Sequence, residues 1–305
     1  MGLSLPTTTE LRAIGRRYLN TAPYRPSRQD TLGSQSDLSD LITQPFRDVA
    51  DVYRRLSDLE DRLREAGDRR AVFLTVYVRM TAAVSEAIQA EVFSDPAWIR
   101  RYTIFFADYY RRALLASERG QTNEVPPPWR IAFGVSTGGR TIILQDALLG
   151  INAHINYDLA YAIYEVGIDP SRPTKRADHN AINEILRQII DEAQNALVDV
   201  YHGDTIASLD DLLGRGDEKL AQLGLVASRD LAWHNAESLS DIWLPPIRSL
   251  VRWRVKSVST GAAHIILRLP TGSQLSQKLQ AVEHRIQPMQ EFKDAFHARV
   301  DSRNI

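Results

Sequence analysis

Apolar residues recur along most of the chain at the three- and four-residue spacing of amphipathic helices. The segment from about 45 to 66 keeps this spacing and is predicted to be a helix with one buried face. The segment from about 70 to 93 opens with Ala71 to Val78, which is apolar on nearly every side and typical of a helix buried all round. The β-branched residues in this run also fit a buried strand, but the strong helix formers that follow favour a helix.

Start signals divide the rest of the chain into further helices. Asp95 before Pro96 is typical of a capped helix start. Two more helices are predicted from about 141 to 164 and from about 178 to 201, the second opened by Asp178 as its cap. No alternation of apolar and polar residues is long enough to indicate a sheet. The sequence therefore predicts an all-α fold, a multi-helix bundle around a central buried polar helix.

Composition shifts mark the two ends of the chain. Residues 1–39 hold a short helical piece and a stretch rich in Pro, Ser, Gln and Gly, and are interpreted as an N-terminal arm and linker. Residues 40–240 are predicted to form a helical core domain. Residues 241–305 are expected to be a C-terminal helical extension packed on the core or on a partner, and the terminal arms offer a route to a homo-oligomer.

The charge balance and the cysteine count exclude several classes of function. The 38 acidic and 37 basic residues nearly cancel, so no overall field favours nucleic acid or an anionic membrane surface. Cysteine is absent, which excludes disulfides, thiolate nucleophiles and cysteine-ligated metals. The chain shows neither a signal peptide nor an apolar run of the roughly 20 residues that a membrane span needs. We therefore expect a cytoplasmic protein with no nucleic-acid partner and no membrane span.

The predicted helix from 141 to 164 carries more polar groups than a core helix usually does. His154 and Asp158 are four residues apart and share a face, together with Asp146 and Gly150. A second ladder consists of Asn152 and Asn156. Apolar residues surround both ladders, so several of these polar groups are expected to be buried and to need partners.

Three interpretations of His154 and Asp158 stay open. They are two metal ligands on adjacent turns, or an imidazole whose basicity is raised by a carboxylate, or a polar network that only holds helices together. We favour proton transfer, with His154 as the catalytic acid/base and Asp158 as its orienting carboxylate. The residues predicted to bind substrate are Asn152, Asn156, Tyr157 and Asn183.

His179 and Asn183 form a second pair at four-residue spacing, on the following helix. In an antiparallel arrangement this pair would face His154 and Asp158. The alternative is that His179 lies in the exposed first turn of a helix capped by Asp178.

The segment from Ala147 to Leu159 resembles the signature of a family of uncharacterised bacterial and archaeal proteins, known only as a domain of unknown function. The resemblance covers roughly residues 40–240. It implies no established activity.

The spacing of Gly150, His154 and Asp158, followed by His179 and Asn183, is similar to the paired ligand helices of the zinc-dependent phospholipase C and P1-nuclease superfamily. Those proteins are all-helical and bind three zinc ions. The resemblance implies His154, Asp158 and His179 as ligand positions. No histidine precedes His154 in this chain, and Asn183 stands where that family has a carboxylate, so a single divalent metal is the most that the pattern favours.

These observations predict an enzyme that acts on a small, largely apolar substrate by acid/base chemistry in a helical cavity, through cyclisation, elimination or hydrolysis, in a setting such as specialised metabolism. No cofactor is favoured, because the chain has no dinucleotide fingerprint and no P-loop. One alternative is a metal-dependent phosphoester hydrolase. The other is a non-catalytic binding or scaffold protein.

Overall fold

The computed structural model describes residues 37–138, 141–200, 217–268, 283 and 288–301. Within these ranges every regular element is helical, which confirms the predicted all-α, multi-helix fold. The elements in chain order are α1 (Ser39–Ile42), α2 (Val49–Glu65), α3 (Ala71–Gln89), α4 (Pro96–Glu118), α5 (Pro127–Thr137), α6 (Ile143–Ala153), a π-helical turn (His154–Asp158), α7 (Leu159–Val166), α8 (Arg172–Val200), α9 (Asp217–Asp241), α10 (Pro245–Leu267) and α11 (Pro288–Asp301).

Helix α3 lies at the centre of the bundle, in contact with α2, α4, α6, α8 and α11. Its first two turns, from Ala71 to Val78, are buried on every side, which confirms the helix and excludes the competing strand. By length and composition α3 is the one described helix that could cross a membrane, but 61% of its most apolar stretch is buried inside the protein. A core helix of a soluble bundle passes the same test.

The helix starts follow the sequence signals in one case and depart from them in another. As predicted, the Asp95 carboxylate accepts a hydrogen bond from the backbone N–H of Trp98 at the start of α4, at 2.9 Å. Helix α8, however, begins at Arg172 rather than at Asp178. Pro173, its second residue, is compatible with a first helical turn because proline has no N–H to pair there.

Asp178 therefore lies within α8, and its predicted capping role is wrong. Its carboxylate accepts hydrogen bonds from the backbone N–H groups of Ser94 and Asp95, at 2.8 and 2.7 Å. Asp178 thus holds the turn before α4 against α8. The local sequence could not show this, because the bonded residues are more than eighty positions apart.

The helix predicted from 141 to 164 is interrupted at its centre. Between α6 and α7 the backbone forms the π turn, in which the N–H of Leu159 donates to the carbonyl of His154, five residues earlier. Helices α4, α9 and α10 all contact this turn. Such turns are rare and occur often at functional sites. His154 and Asp158 are the first and last residues of the turn.

The C-terminal helices pack on the rest of the bundle. Helix α10 contacts α5, α6, α9 and the π turn, and α11 contacts α3 and α8. The boundary at residue 240 stays a prediction, and nearly all of the predicted arm at 1–39 lies outside the described residues.

Gly150 allows α3 and α6 to approach closely, and we expect its replacement to disturb the core. A Cβ atom at Gly150 would lie 2.5–2.6 Å from three atoms of the Phe73 side chain. Gly150→Ala should lower the free energy of unfolding by about 1–3 kcal/mol, as overpacked cores do. Gly224→Ala in α9 is the matched control, because a Cβ atom added there would meet nothing within 4 Å. Urea unfolding of both variants tests this, and equal stabilities would contradict the close packing.

Candidate active site

His154 and Asp158 form a buried hydrogen-bonded pair. The exposed fraction is 3% for His154 and 0% for Asp158. Nδ1 of His154 lies 3.0 Å from Oδ2 of Asp158. The same carboxylate oxygen accepts a hydrogen bond from the indole N–H of Trp129 in α5, at 2.8 Å. Trp129 therefore fixes the carboxylate, and the carboxylate fixes the imidazole.

Aromatic side chains enclose the imidazole of His154. Phe106 of α4 stacks on one face, with ring centroids 3.6 Å apart and an interplanar angle of 9°. Tyr77 of α3 meets the imidazole edge-on at 4.4 Å. Phe73 and Trp129 complete the enclosure at 5.6 and 6.1 Å. We call these four side chains, Phe73, Tyr77, Phe106 and Trp129, the aromatic cage.

Several buried polar atoms in and beside the cage have no hydrogen-bond partner in the part of the chain that the structure describes. They are Nε2 of His154, Oδ1 of Asp158, and the hydroxyl groups of Tyr77 and Tyr110. Most buried polar side-chain atoms in folded proteins have a partner, because an unpaired one costs about 1–3 kcal/mol. These atoms make the pair and its aromatic surroundings a candidate site for a bound molecule.

Burial controls the protonation of the pair. It lowers the pKa of His154 well below the ordinary value for histidine. It raises the pKa of Asp158 well above the ordinary value for aspartic acid, although the hydrogen bond from Trp129 acts in the opposite direction. Both shifts favour uncharged forms. Burial therefore favours a neutral imidazole beside a carboxyl group that keeps its proton.

Asn152 and Asn156 are bonded to each other and to α10 rather than to the pair. The amide of Asn156 donates to Oδ1 of Asn152 at 3.0 Å, and the amide of Asn152 donates to the carbonyl of Ser259 at 2.9 Å. These bonds tie α6 and the π turn to α10.

His179 and Asn183 lie in a second polar cluster, in which His179 is buried and Asn183 is half-buried. His179 is fully buried, so it does not lie in an exposed first turn. Its Nδ1 is 3.0 Å from the hydroxyl of Tyr102. Asn183 accepts a hydrogen bond from Nε of Arg229 at 2.7 Å. Nothing in the sequence indicated that Arg229, on α9, would lie between these two residues.

The residues implied as metal ligands do not come together. No three His, Asp or Glu side chains of the described residues form a group that could hold one ion. The ring neighbours of His179 are Tyr102 and Trp233, neither of which belongs to the aromatic cage. Asp146, on the same ladder as His154, is bonded instead to Arg69, Ser136 and Thr141. A three-ligand site built on His154, Asp158 and His179 therefore does not fit this geometry.

One cavity borders the π turn through Tyr157, and another borders the aromatic cage. An open cleft of about 670 Å³ is lined by Tyr157, Tyr161 and Tyr109, among others. A smaller cavity of about 40 Å³ shares Tyr77 and Phe106 with the aromatic cage. The other residues that line the smaller cavity are Met80, Thr81, Val84, Tyr102, Thr103, Ile182 and Arg229.

The pair should make stability depend on pH. In an unfolded chain Asp158 loses its proton above about pH 3.9, and His154 is neutral above about pH 6.5. In the folded protein the Asp158 carboxyl group keeps its proton. Above about pH 6.5 the folded pair therefore holds one proton more than the same two side chains in the unfolded chain. Its contribution to stability is then lost as the pH rises, by up to about 1.4 kcal/mol per unit, until the folded carboxyl group ionises.

Asp158→Asn should remove this dependence, because an amide is uncharged at every pH and still accepts the bond from Trp129. The free energy of unfolding, measured in urea between about pH 6.5 and 8.5, should fall for the wild type relative to the variant. If the free energies of unfolding of the wild type and the variant changed with pH in parallel, the carboxyl group of folded Asp158 would already be ionised in this range. That result would contradict the protonated carboxyl group that burial favours.

The comparisons with known proteins give a family but no activity. No curated protein and no solved structure matches the chain. The model of a family of unknown function, DUF5995, matches residues 49–269. This match extends over most of the described helices, from α2 to the end of α10. The chain therefore belongs to DUF5995, a family of unknown function.

Proposed function

We propose that the protein is an enzyme that acts on a small, largely apolar molecule by acid/base chemistry at His154 and Asp158. The neutral imidazole takes a proton from the substrate, or from water in a hydrolysis, and then gives it to the product or to the leaving group, while Asp158 holds the ring through Nδ1. Cyclisation, elimination and hydrolysis all fit these groups. The observation that carries the proposal is that Nε2 of His154 and the hydroxyl of Tyr77 have no partner although they are buried at the same cage.

The aromatic cage supports chemistry in which positive charge develops. The faces of aromatic rings attract cations, and charges interact more strongly where water is excluded. Phe106 and Tyr77 both cover His154 and line the small cavity. In the proposed mechanism one of these two side chains turns aside to admit the substrate from that cavity. This motion exposes Nε2 to the substrate and not to bulk solvent.

The hydrogen bonds of the site change which residues we assign to substrate binding. Asn152 and Asn156 already satisfy each other and α10. Tyr77 has an unused hydroxyl and borders the small cavity, so in this proposal it positions the substrate. Tyr157 lines the wide cleft, where it is available to a larger part of the substrate.

The main alternative is a non-catalytic protein in which the pair only holds helices together. Two measurements on variants of the pair distinguish the two functions: the conversion of substrate and the free energy of unfolding. A structural pair of uncharged groups, once broken, leaves an unpaired buried group and costs about 1–3 kcal/mol. Catalytic groups are often held in positions that lower the stability of the fold. Replacing a catalytic pair should therefore change the free energy of unfolding little, or raise it.

We expect His154→Gln to abolish conversion in a protein that stays folded. The wild type and the variant are incubated with a library of small apolar metabolites, and losses and products are measured by mass spectrometry. His234→Gln is the matched control, because His234 is an exposed histidine on α9 bonded to Glu237. Compounds converted by the wild type and the control should persist with His154→Gln. Equal conversion by all three proteins, or a loss of about 1–3 kcal/mol in stability without any conversion by the wild type, would contradict the proposal.

A further inference from the structure

Arg229 is a buried cation that has no carboxylate partner among the described residues. Its exposed fraction is 3%. None of the ion pairs among the described residues includes it; its neighbour Asp230 pairs with Arg176, and Asp178 is bonded to backbone amides. Burial lowers the pKa of Arg229 below the usual range of arginine. A fully buried charge normally has an ionic partner, so this exception needs an explanation.

The Arg229 side chain is fixed in place by neutral groups. Nε donates to Oδ1 of Asn183 at 2.7 Å, and Nη2 donates to the carbonyl of His179 at 2.6 Å. The hydroxyl of Tyr102 is bonded to the ring of the same His179. These contacts orient the guanidinium group and leave its charge uncompensated. A cation that is held before its partner arrives binds that partner with a smaller entropy loss.

Arg229 lines the small cavity together with Tyr102 and Tyr77, whose hydroxyl has no partner. At about 40 Å³ the cavity has room for only a few water molecules, since one water needs about 10–15 Å³ of such space. Only a head group fits there. Met80, Val84 and Ile182 make the rest of the lining largely apolar. The polar groups thus offer one positive charge and the unpaired hydroxyl of Tyr77 beside an apolar wall.

We propose that this cavity binds the carboxylate of a small apolar monocarboxylic acid. The planar guanidinium matches the two oxygens of a carboxylate and carries the one charge needed to neutralise it. A phosphate dianion would bring a second charge for which the cavity has no cation. Because Tyr77 and Phe106 separate the cavity from His154, the bound acid would lie next to the pair. The statement that such acids are substrates rests on the proposed function. The statement that the cavity binds a carboxylate is independent of it.

Binding of sodium hexanoate to the wild-type protein tests the site without any substitution. Isothermal titration calorimetry should detect hexanoate but neither hexanamide nor hexylamine, which have the same chain with no negative charge. Inorganic phosphate should bind more weakly than hexanoate. Equal affinity for hexanoate and hexanamide would overturn the proposal, and so would binding of phosphate in preference to hexanoate.

Substitution of Arg229 shows whether the carboxylate occupies this cavity. Arg229→Gln should weaken hexanoate binding by about thirtyfold or more, because a buried charge partner is lost. Arg229→Lys keeps the positive charge but lacks the planar guanidinium group, so this variant should bind hexanoate with intermediate affinity. It replaces the glutamine variant in the test if that variant does not fold. Arg176→Gln is the matched control, since Arg176 pairs with Asp230 at a more exposed position, and its affinity should be unchanged. Unchanged binding to both Arg229 variants would overturn the site.

His154→Gln separates this inference from the proposed function. Hexanoate should bind this variant as it binds the wild type, because His154 does not line the cavity. Binding that depends on Arg229, without conversion of any monocarboxylic acid, would leave the site standing and contradict the catalytic proposal. Conversion of uncharged substrates alone, with no binding of hexanoate, would overturn the monocarboxylate site and leave the catalytic proposal intact.

Discussion

The exclusion of water from His154 and Asp158 is the constraint on which the site depends. Solvent would allow both groups to ionise as they do in a free chain. Burial inside the aromatic cage shifts the pKa values of both groups toward their uncharged forms, and Nε2 of the imidazole has no partner among the described residues. Trp129 compensates part of the cost by donating to the buried carboxyl group. The remaining cost is one that a purely structural helix contact does not require.

The fold provides this enclosure through close helix packing. Gly150 lets Phe73 of α3 lie directly on α6, and Phe73 forms one wall of the cage. The π turn then presents His154 and Asp158 at the place where α4, α9 and α10 meet. Arg229, held by α8, lies on the far side of Phe106 and Tyr77 in the lining of the small cavity. The pair of His154 and Asp158 and the buried cation therefore lie on either side of the same two aromatic side chains.

Periodicity predicted much of the fold. The central helix α3 and the start of α4 follow from apolar spacing and from Asp95 with Pro96, because these signals are local. The burial of His154 and Asp158 was also expected from their apolar neighbours. Local patterns could not predict the π turn, since it differs from an α-helix only in how the backbone bonds close. They also misplaced the start of α8, because Asp178 has distant partners.

The partners of the site are the part that the sequence could not supply. Trp129 lies 29 residues before Asp158, and Arg229 lies 50 residues after His179. No spacing rule links such positions, because their contact depends on how whole helices pack. The sequence also could not show that Phe106 and Tyr77 would pack on His154, because aromatic residues on helices are usually ordinary core residues. Only the packed structure separates these cage residues from ordinary core.

The protonation state of the pair can be observed directly by ¹⁵N NMR of the histidine side chains at pH 7. A neutral His154 has two inequivalent ring nitrogens, one carrying a proton and one without, whereas an imidazolium has two similar protonated nitrogens. Because burial favours the uncharged imidazole, we expect the neutral pattern for His154 in the wild-type protein. The Asp158→Ala variant should keep this pattern as long as the aromatic cage still excludes water. An imidazolium pattern for His154 in the wild-type protein would show an ion pair, and would contradict a neutral base at this site.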